Sequence, residues 1–121
     1  MNRPAVTVLQ TGDQAYELEV ATAPDEQAKG LGKRASLPLD RGMLFTFESS
    51  GVRCFWMKDM QFPLDIIWIN DAHMVTHIER NVSPRTYPKA FCPPTAAQYV
   101  IELNAGQAAR AQLYTGQQLN F

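Results

Sequence analysis

The stretch Leu64-Asp65-Ile66-Ile67-Trp68-Ile69 decides the fold. It is apolar apart from one carboxylate, rich in β-branched residues and free of Gly and Pro, so it reads as the most strand-like stretch of the chain. Alternation sets Leu64, Ile66 and Trp68 on one side of the sheet, and Asp65, Ile67 and Ile69 on the other. The next four residues, Asn70-Asp71-Ala72-His73, carry turn chemistry and lead into a second strand from Met74 to Ile78. A hairpin built on that strand is the nucleus of a β-rich domain.

Working outward, Met43 to Phe47 (MLFTF) and Cys54 to Met57 (CFWM) are further apolar strands, and Tyr99 to Leu103 returns as another. Val6 to Leu9 reads as a short first strand. Tyr16-Glu17-Leu18-Glu19-Val20 alternates with period two, as expected of a half-buried antiparallel strand with its glutamates in water. Gln118 to Phe121 reads as a closing strand. Thr22 is placed as the N-cap of a short helix with Pro24 in its first turn, running through Ala28 to Leu31. Asn104 is placed as the cap of a second helix through Ala108 to Leu113. Between Arg80 and Ala97 lie Pro84, Pro88, Pro93 and Pro94, and a long irregular loop inside a small domain is often functional. The expectation is an α+β, mainly β fold: a single domain over residues 1–121, built as a partly closed small β-barrel of about seven strands with two short helices at the rim. Residues 1–14 are read as a leader remnant plus the first strand.

The 121 residues suffice for one modest core, and 45% hydrophobic with 19% charged residues is the composition of a folded chain. Eleven Lys and Arg against twelve Asp and Glu give a net charge of −1, which argues against a nucleic-acid binder. No apolar run approaches the roughly 20 residues that span a bilayer. Met1 to Leu9 lacks the apolar core and cleavage site of a secretory signal, so the expectation is a cytoplasmic protein or an exported one without its signal. Cys54 and Cys92 form no CxxC pair. They are either two separate reduced thiols, the reading preferred from sequence, or a disulfide of an oxidising compartment.

Five strings occur in order: Lys29-Gly30-Leu31-Gly32-Lys33-Arg34, Arg41-Gly42-Met43-Leu44-Phe45, Phe55-Trp56-Met57-Lys58, Pro63-Leu64-Asp65-Ile66-Ile67 and Tyr99-Val100-Ile101-Glu102-Leu103-Asn104-Ala105-Gly106. Together they closely resemble the DUF192 (UPF0127) family of bacteria and archaea, from about Tyr16 to Phe121. The resemblance implies one small, mainly β domain, often exported as a periplasmic protein or lipoprotein. It implies no activity, cofactor or catalytic residue. The chain departs from the family's usual Gly-Leu-Met at Gly30-Leu31-Gly32, and from its Lys-Asn-Thr at Lys58-Asp59-Met60.

Trp56 and Lys58 share a strand face, with Met57 on the other, and suit a binding wall for an anionic or sugar-like ligand or, alternatively, a core tryptophan beside a surface lysine. Asp65 on an apolar face requires a partner: Lys58, Arg41, Arg34 or the backbone amides of a neighbouring turn. Arg41 is either that partner or an anion receptor. His73 and His77 on a strand stand roughly 13 Å apart and cannot share one metal ion. Cys92 lacks an evident base for nucleophilic chemistry, and Glu102 is expected to face water or pair with an arginine. The leading reading is a non-enzymatic small-ligand-binding or accessory domain whose rim site comprises Arg41, Trp56, Lys58, Asp65 and the Pro-rich loop, with no metal and no cofactor. The alternatives are a small hydrolase using Asp65 with Lys58 or Arg41, and a protein-interaction domain working through an exposed sheet edge.

Overall fold

The computed structural model describes residues 5–121. The deciding stretch is strand β5 (Leu64–Ile69), buried at every position. Numbered along the chain, the other strands are β1 (Val6–Thr11), β2 (Gln14–Ala21), β3 (Arg41–Gly51), β4 (Phe55–Trp56), β6 (Val75–Val82), β7 (Ala90–Phe91) and β8 (Ala97–Asn104). Six of them form one sheet in the order β1-β2-β3-β8-β5-β6, and β4 pairs with β7 in a separate two-stranded ribbon. The leader reading of the N-terminus falls in part on residues 1–4, outside the described residues.

Alternation along β5 sorts the core as its sequence requires. Ile67 and Ile69 join Leu9, Leu18, Leu44, Ile101 and Leu103 in one apolar cluster. Leu64, Ile66 and Trp68 join Met43, Phe45, Met57 and Val100 in a second. The central strands are therefore covered on both faces, which is why their sequences are apolar throughout rather than alternating. β3 and β8 approach closely at Gly42, where a Cβ would meet the Glu102 carbonyl oxygen at 2.4 Å and Leu103 Cδ2 at 2.7 Å.

β2 runs antiparallel to β1 but parallel to β3, which corrects the purely antiparallel expectation for Tyr16 to Val20. Parallel neighbours need a crossover rather than a hairpin, and residues 22–40 supply it, carrying α1 (Pro24–Lys29). Ala23 rather than Thr22 is the N-cap. The Glu26 carboxylate accepts from the amides of Ala23 (3.0 Å) and Thr22 (3.3 Å), so the helix entry is satisfied from inside the first turn. Gln27 fastens the helix to the sheet by donating to the carbonyls of Ala21 (3.1 Å) and Thr46 (2.7 Å). The second helix, α2 (Gln107–Arg110), starts after Gly106, not Asn104. The Asn104 amide instead donates to the carbonyls of Leu37 and Pro38.

The sheet does not close into a barrel. Its edges are β1 and β6, and no ladder joins them. Gln118 to Phe121 is not a full strand: it makes only isolated bridges, Asn120 to Gln10 beside one edge and Gln118 to Met74 beside the other. This segment masks part of each edge without continuing the ladder. The structure has eight strands where the expectation is about seven: seven of the stretches read as strands correspond to strands, Gln118 to Phe121 does not, and β7 arises within the Pro-rich loop. Among the described residues, no helix is long and apolar enough to cross a membrane.

Candidate functional site

A cleft of about 450 Å³ opens between α1, the β4–β7 ribbon and the sheet. Pro24, Gln27, Ala28 and Lys29 of α1 and its C-terminal end form one wall. Trp56 and Lys58 form the other, and Phe45 and Phe47 of β3 with Glu102 of β8 line the base. Phe55 ties the ribbon to the sheet, meeting Phe45 edge-on at 4.9 Å and Trp68 edge-on at 6.1 Å between ring centroids. The Trp68 indole donates to the Arg53 carbonyl at 2.7 Å, fixing the segment that leads into the ribbon.

Within the ribbon, alternation buries Met57 and turns Trp56 outward with 48% of its surface exposed. Lys58 Nζ stands 5.8 Å from the Trp56 ring centre, and Tyr87 of the Pro-rich loop packs 5.2 Å from the same ring. Arg53 lies 4.4 Å above the Phe47 ring. Each of these aromatic faces therefore already carries a protein cation, and the cleft lining holds three cations, Lys29, Arg53 and Lys58. Trp56, Lys58 and Tyr87 of the Pro-rich loop come together here, but the expected strand Cys54 to Met57 shortens to β4, and Lys58 lies in the turn that follows it.

Cys54 and Cys92 are joined by a disulfide, which corrects the preference for separate thiols. It clamps the residue before β4 to the residue after β7, at the end of the ribbon that carries Trp56. The pairing brings together two cysteines that lie 38 positions apart in sequence, which nothing in the local spacing signals. A bonded Cys92 is no nucleophile.

Glu102 departs furthest from expectation. It neither stands out on the surface nor pairs with an arginine: only 4% of its surface is exposed, at the base of the cleft, and it makes no hydrogen bond or ion pair with another of the described residues. Its strand partners are Met43 and Ile66, both buried and apolar. Burial without a compensating charge pushes its carboxyl up to about 8, so the acid is mostly neutral at pH 7. The signal was present in Val100-Ile101-Glu102-Leu103. A carboxylate inside a strand apolar on both faces, as at Asp65, requires either a partner or a cavity.

Asp65 is placed elsewhere. It is 1% exposed, and its carboxylate accepts three backbone amides: Asn81 (2.9 Å), Gly106 (3.0 Å) and Ala108 (2.8 Å). A register shift opposite β5 between Leu64 and Ile66 presents the Asn81 amide, and the start of α2 presents the other two. Of the partners considered from sequence, the backbone amides are the ones it has. It pins β6 and α2 to β5 and does not line the cleft, so a hydrolase built on Asp65 with Lys58 or Arg41 lacks its carboxylate. Arg41 is also outside the cleft; it is exposed at the start of β3, 3.9 Å from the Glu17 carboxylate. Arg34 pairs in bidentate fashion with Glu19 at 2.6 and 2.9 Å, so Glu19 is half-buried rather than fully in water. That guanidinium holds the Glu19 carboxyl below the usual range, and Glu19 in turn raises Arg34. His73 stacks on Phe121 at 4.2 Å, while His77 bonds Glu79 at 2.6 Å.

Residues 6–121 match the DUF192 family, described as Uncharacterized ACR. Two solved structures superpose on almost the whole chain. A Sinorhizobium meliloti 1021 protein provisionally assigned as a transcription regulator is 28% identical, with a TM-score of 0.90 over 99% of this chain and 96% of its own. A protein of unknown function from Novosphingobium aromaticivorans DSM 12444 is 30% identical, with a TM-score of 0.87 over 99% of this chain and 94% of its own. No curated protein matches the sequence.

Proposed function

The chain belongs to the DUF192 family, and from that premise and the cleft we propose that it is a small-ligand-binding domain whose site is the cleft walled by Trp56 and Lys58. The observation that supports this reading most is the half-exposed Trp56. The ribbon that carries this indole is held to the sheet by the edge-on packing of Phe55 and by the Cys54–Cys92 disulfide, and the indole is exposed apolar surface that the fold does not need for its core. The three cations of the lining favour an anionic ligand, and the half-exposed indole, with Lys58 and Tyr87 beside it, offers apolar surface to a ring or sugar packed against it. The Arg41 and Asp65 of the sequence reading are not part of this site; Lys29, Arg53 and Glu102 take their place.

The test is a thermal-shift panel of small organic anions and neutral and acidic sugars, run on the wild type, Trp56→Ala and Lys58→Gln. The expected result is a ligand that raises the wild-type melting temperature by at least 2 °C and shifts neither variant, with the unliganded variants melting within about 2 °C of the wild type. A ligand that stabilises Trp56→Ala as well as the wild type would place binding elsewhere. Variants that lose several degrees without ligand would make Trp56 and Lys58 part of the fold instead.

A further inference from the structure

Resting on that reading of the cleft, we propose that Glu102 is its specificity-determining residue: a buried carboxyl at the base that hydrogen-bonds a hydroxyl or ring oxygen of a small sugar acid, whose carboxylate is met by the cations of the lining. Two independent sets of groups point to this class of ligand, the cations of the lining and Glu102. The lining is net cationic, through Lys29, Arg53 and Lys58, which selects an anion. Lys58 and Arg53 already occupy the faces of Trp56 and Phe47, which leaves a cationic ligand facing like charge. Glu102 is a more than nine-tenths buried polar group with no partner among the described residues, and it lines the same cleft.

The last feature separates a sugar acid from a plain aromatic acid. A buried carboxyl left unpaired beneath an apolar ligand forfeits the hydrogen bonds that water at the cleft base can give it. A hydroxylated ring restores them, because the neutral acid has one donor and spare acceptor capacity to offer. The neutral state follows from the surroundings. Flanking strands place Met43 and Ile66 opposite Glu102, Phe45 and Leu31 line the cleft beside it, and the cleft cations are not close enough to offset its desolvation. Asp65, on the strand beside it, points to the opposite face of the sheet and is held by amides.

Glucuronate, glucose, benzoate and glucosamine, each titrated calorimetrically into the wild type, Glu102→Gln, Glu102→Leu and Trp56→Ala, test the proposal. Glucuronate should bind the wild type at least tenfold more tightly than the other three. Glu102→Gln, a neutral donor and acceptor of similar size, should keep that affinity within about threefold at pH 7, and Glu102→Leu should lose at least tenfold. Wild-type affinity should fall about tenfold from pH 7 to pH 9, and the Gln variant, which lacks that carboxyl, should stay flat. Glu102→Leu binding as well as the wild type overturns the role of Glu102; if Trp56→Ala still abolishes binding, the cleft reading survives. Preference for glucosamine with loss in Glu102→Gln makes Glu102 an anion for a cationic ligand and overturns the proposal. Equal binding of benzoate, or no binding of glucuronate, overturns the sugar-acid class and leaves the cleft to the wider panel.

Discussion

Two buried carboxylates in adjacent strands meet opposite fates. The Asp65 carboxylate accepts hydrogen bonds from three backbone amides; Glu102 has apolar strand neighbours, and burial pushes its carboxyl up to about 8. Asp65→Asn removes the charge and one of the acceptor oxygens, leaving at least one of the three amides without a good acceptor. It should cost about 3 kcal/mol in denaturant unfolding at pH 7. Glu102→Gln should do the reverse. A folded-state carboxyl raised to about 8 binds its proton more tightly than the unfolded chain. Stability is therefore unpenalised below about pH 4.5 and falls as pH rises towards 8. At pH 7 that penalty is on the order of 3 kcal/mol, so Glu102→Gln should be the more stable protein there and show a flatter stability profile between pH 5 and 8. A wild-type profile rising through that window would contradict the account. Glu19 contributes with the opposite sign: lowered by Arg34, it supplies stability that is lost as pH falls through its folded value.

At the scale of elements, the ribbon β4–β7 is a two-stranded piece too short to stand alone, and the Cys54–Cys92 bond holds it. Closing a 38-residue loop is worth about 4 kcal/mol in the chain-entropy account. Reduction should lower the melting temperature by roughly 10 °C and free Trp56, visible as a change in its fluorescence anisotropy; unchanged anisotropy would mean that Phe55 and Tyr87 hold the ribbon without it. Gly42 marks a second element-level constraint. Gly42→Ala would drive a methyl into the β8 backbone, and it should cost about 2 kcal/mol or more by chemical unfolding. The strands were legible in sequence wherever hydrophobic period and turn residues agree: β5 has the bounds Leu64–Ile69 read from sequence, and Trp56, the last residue of β4, turns outward while Met57, just past it, is buried. Pairing was not legible. The parallel β2–β3 contact, β7 within the Pro-rich loop and the disulfide each depend on residues far apart in the chain, which local periodicity does not encode.

For the whole molecule, the same distinction explains how the site was read. Trp56 and Lys58 lie two positions apart in sequence and both line the cleft, Trp56 at the end of β4 and Lys58 in the turn after it, whereas Arg41 and Asp65 stand on parts of the sheet that the cleft does not reach. Glu102 escaped because its exposure depends on what β3, β5 and α1 leave uncovered above it. The fold also differs from a closed barrel in a way that matters to the site. An open six-stranded sheet with a crossover helix on one face leaves room between α1 and the ribbon, and the cleft is that room. Chemical-shift mapping of the labelled protein across a glucuronate titration locates the ligand residue by residue. Saturable shifts should be confined to residues around Lys29, Arg53, the Trp56 indole, Lys58 and Glu102. Saturable shifts centred on any other surface, with the Trp56 indole unmoved, would contradict that placement.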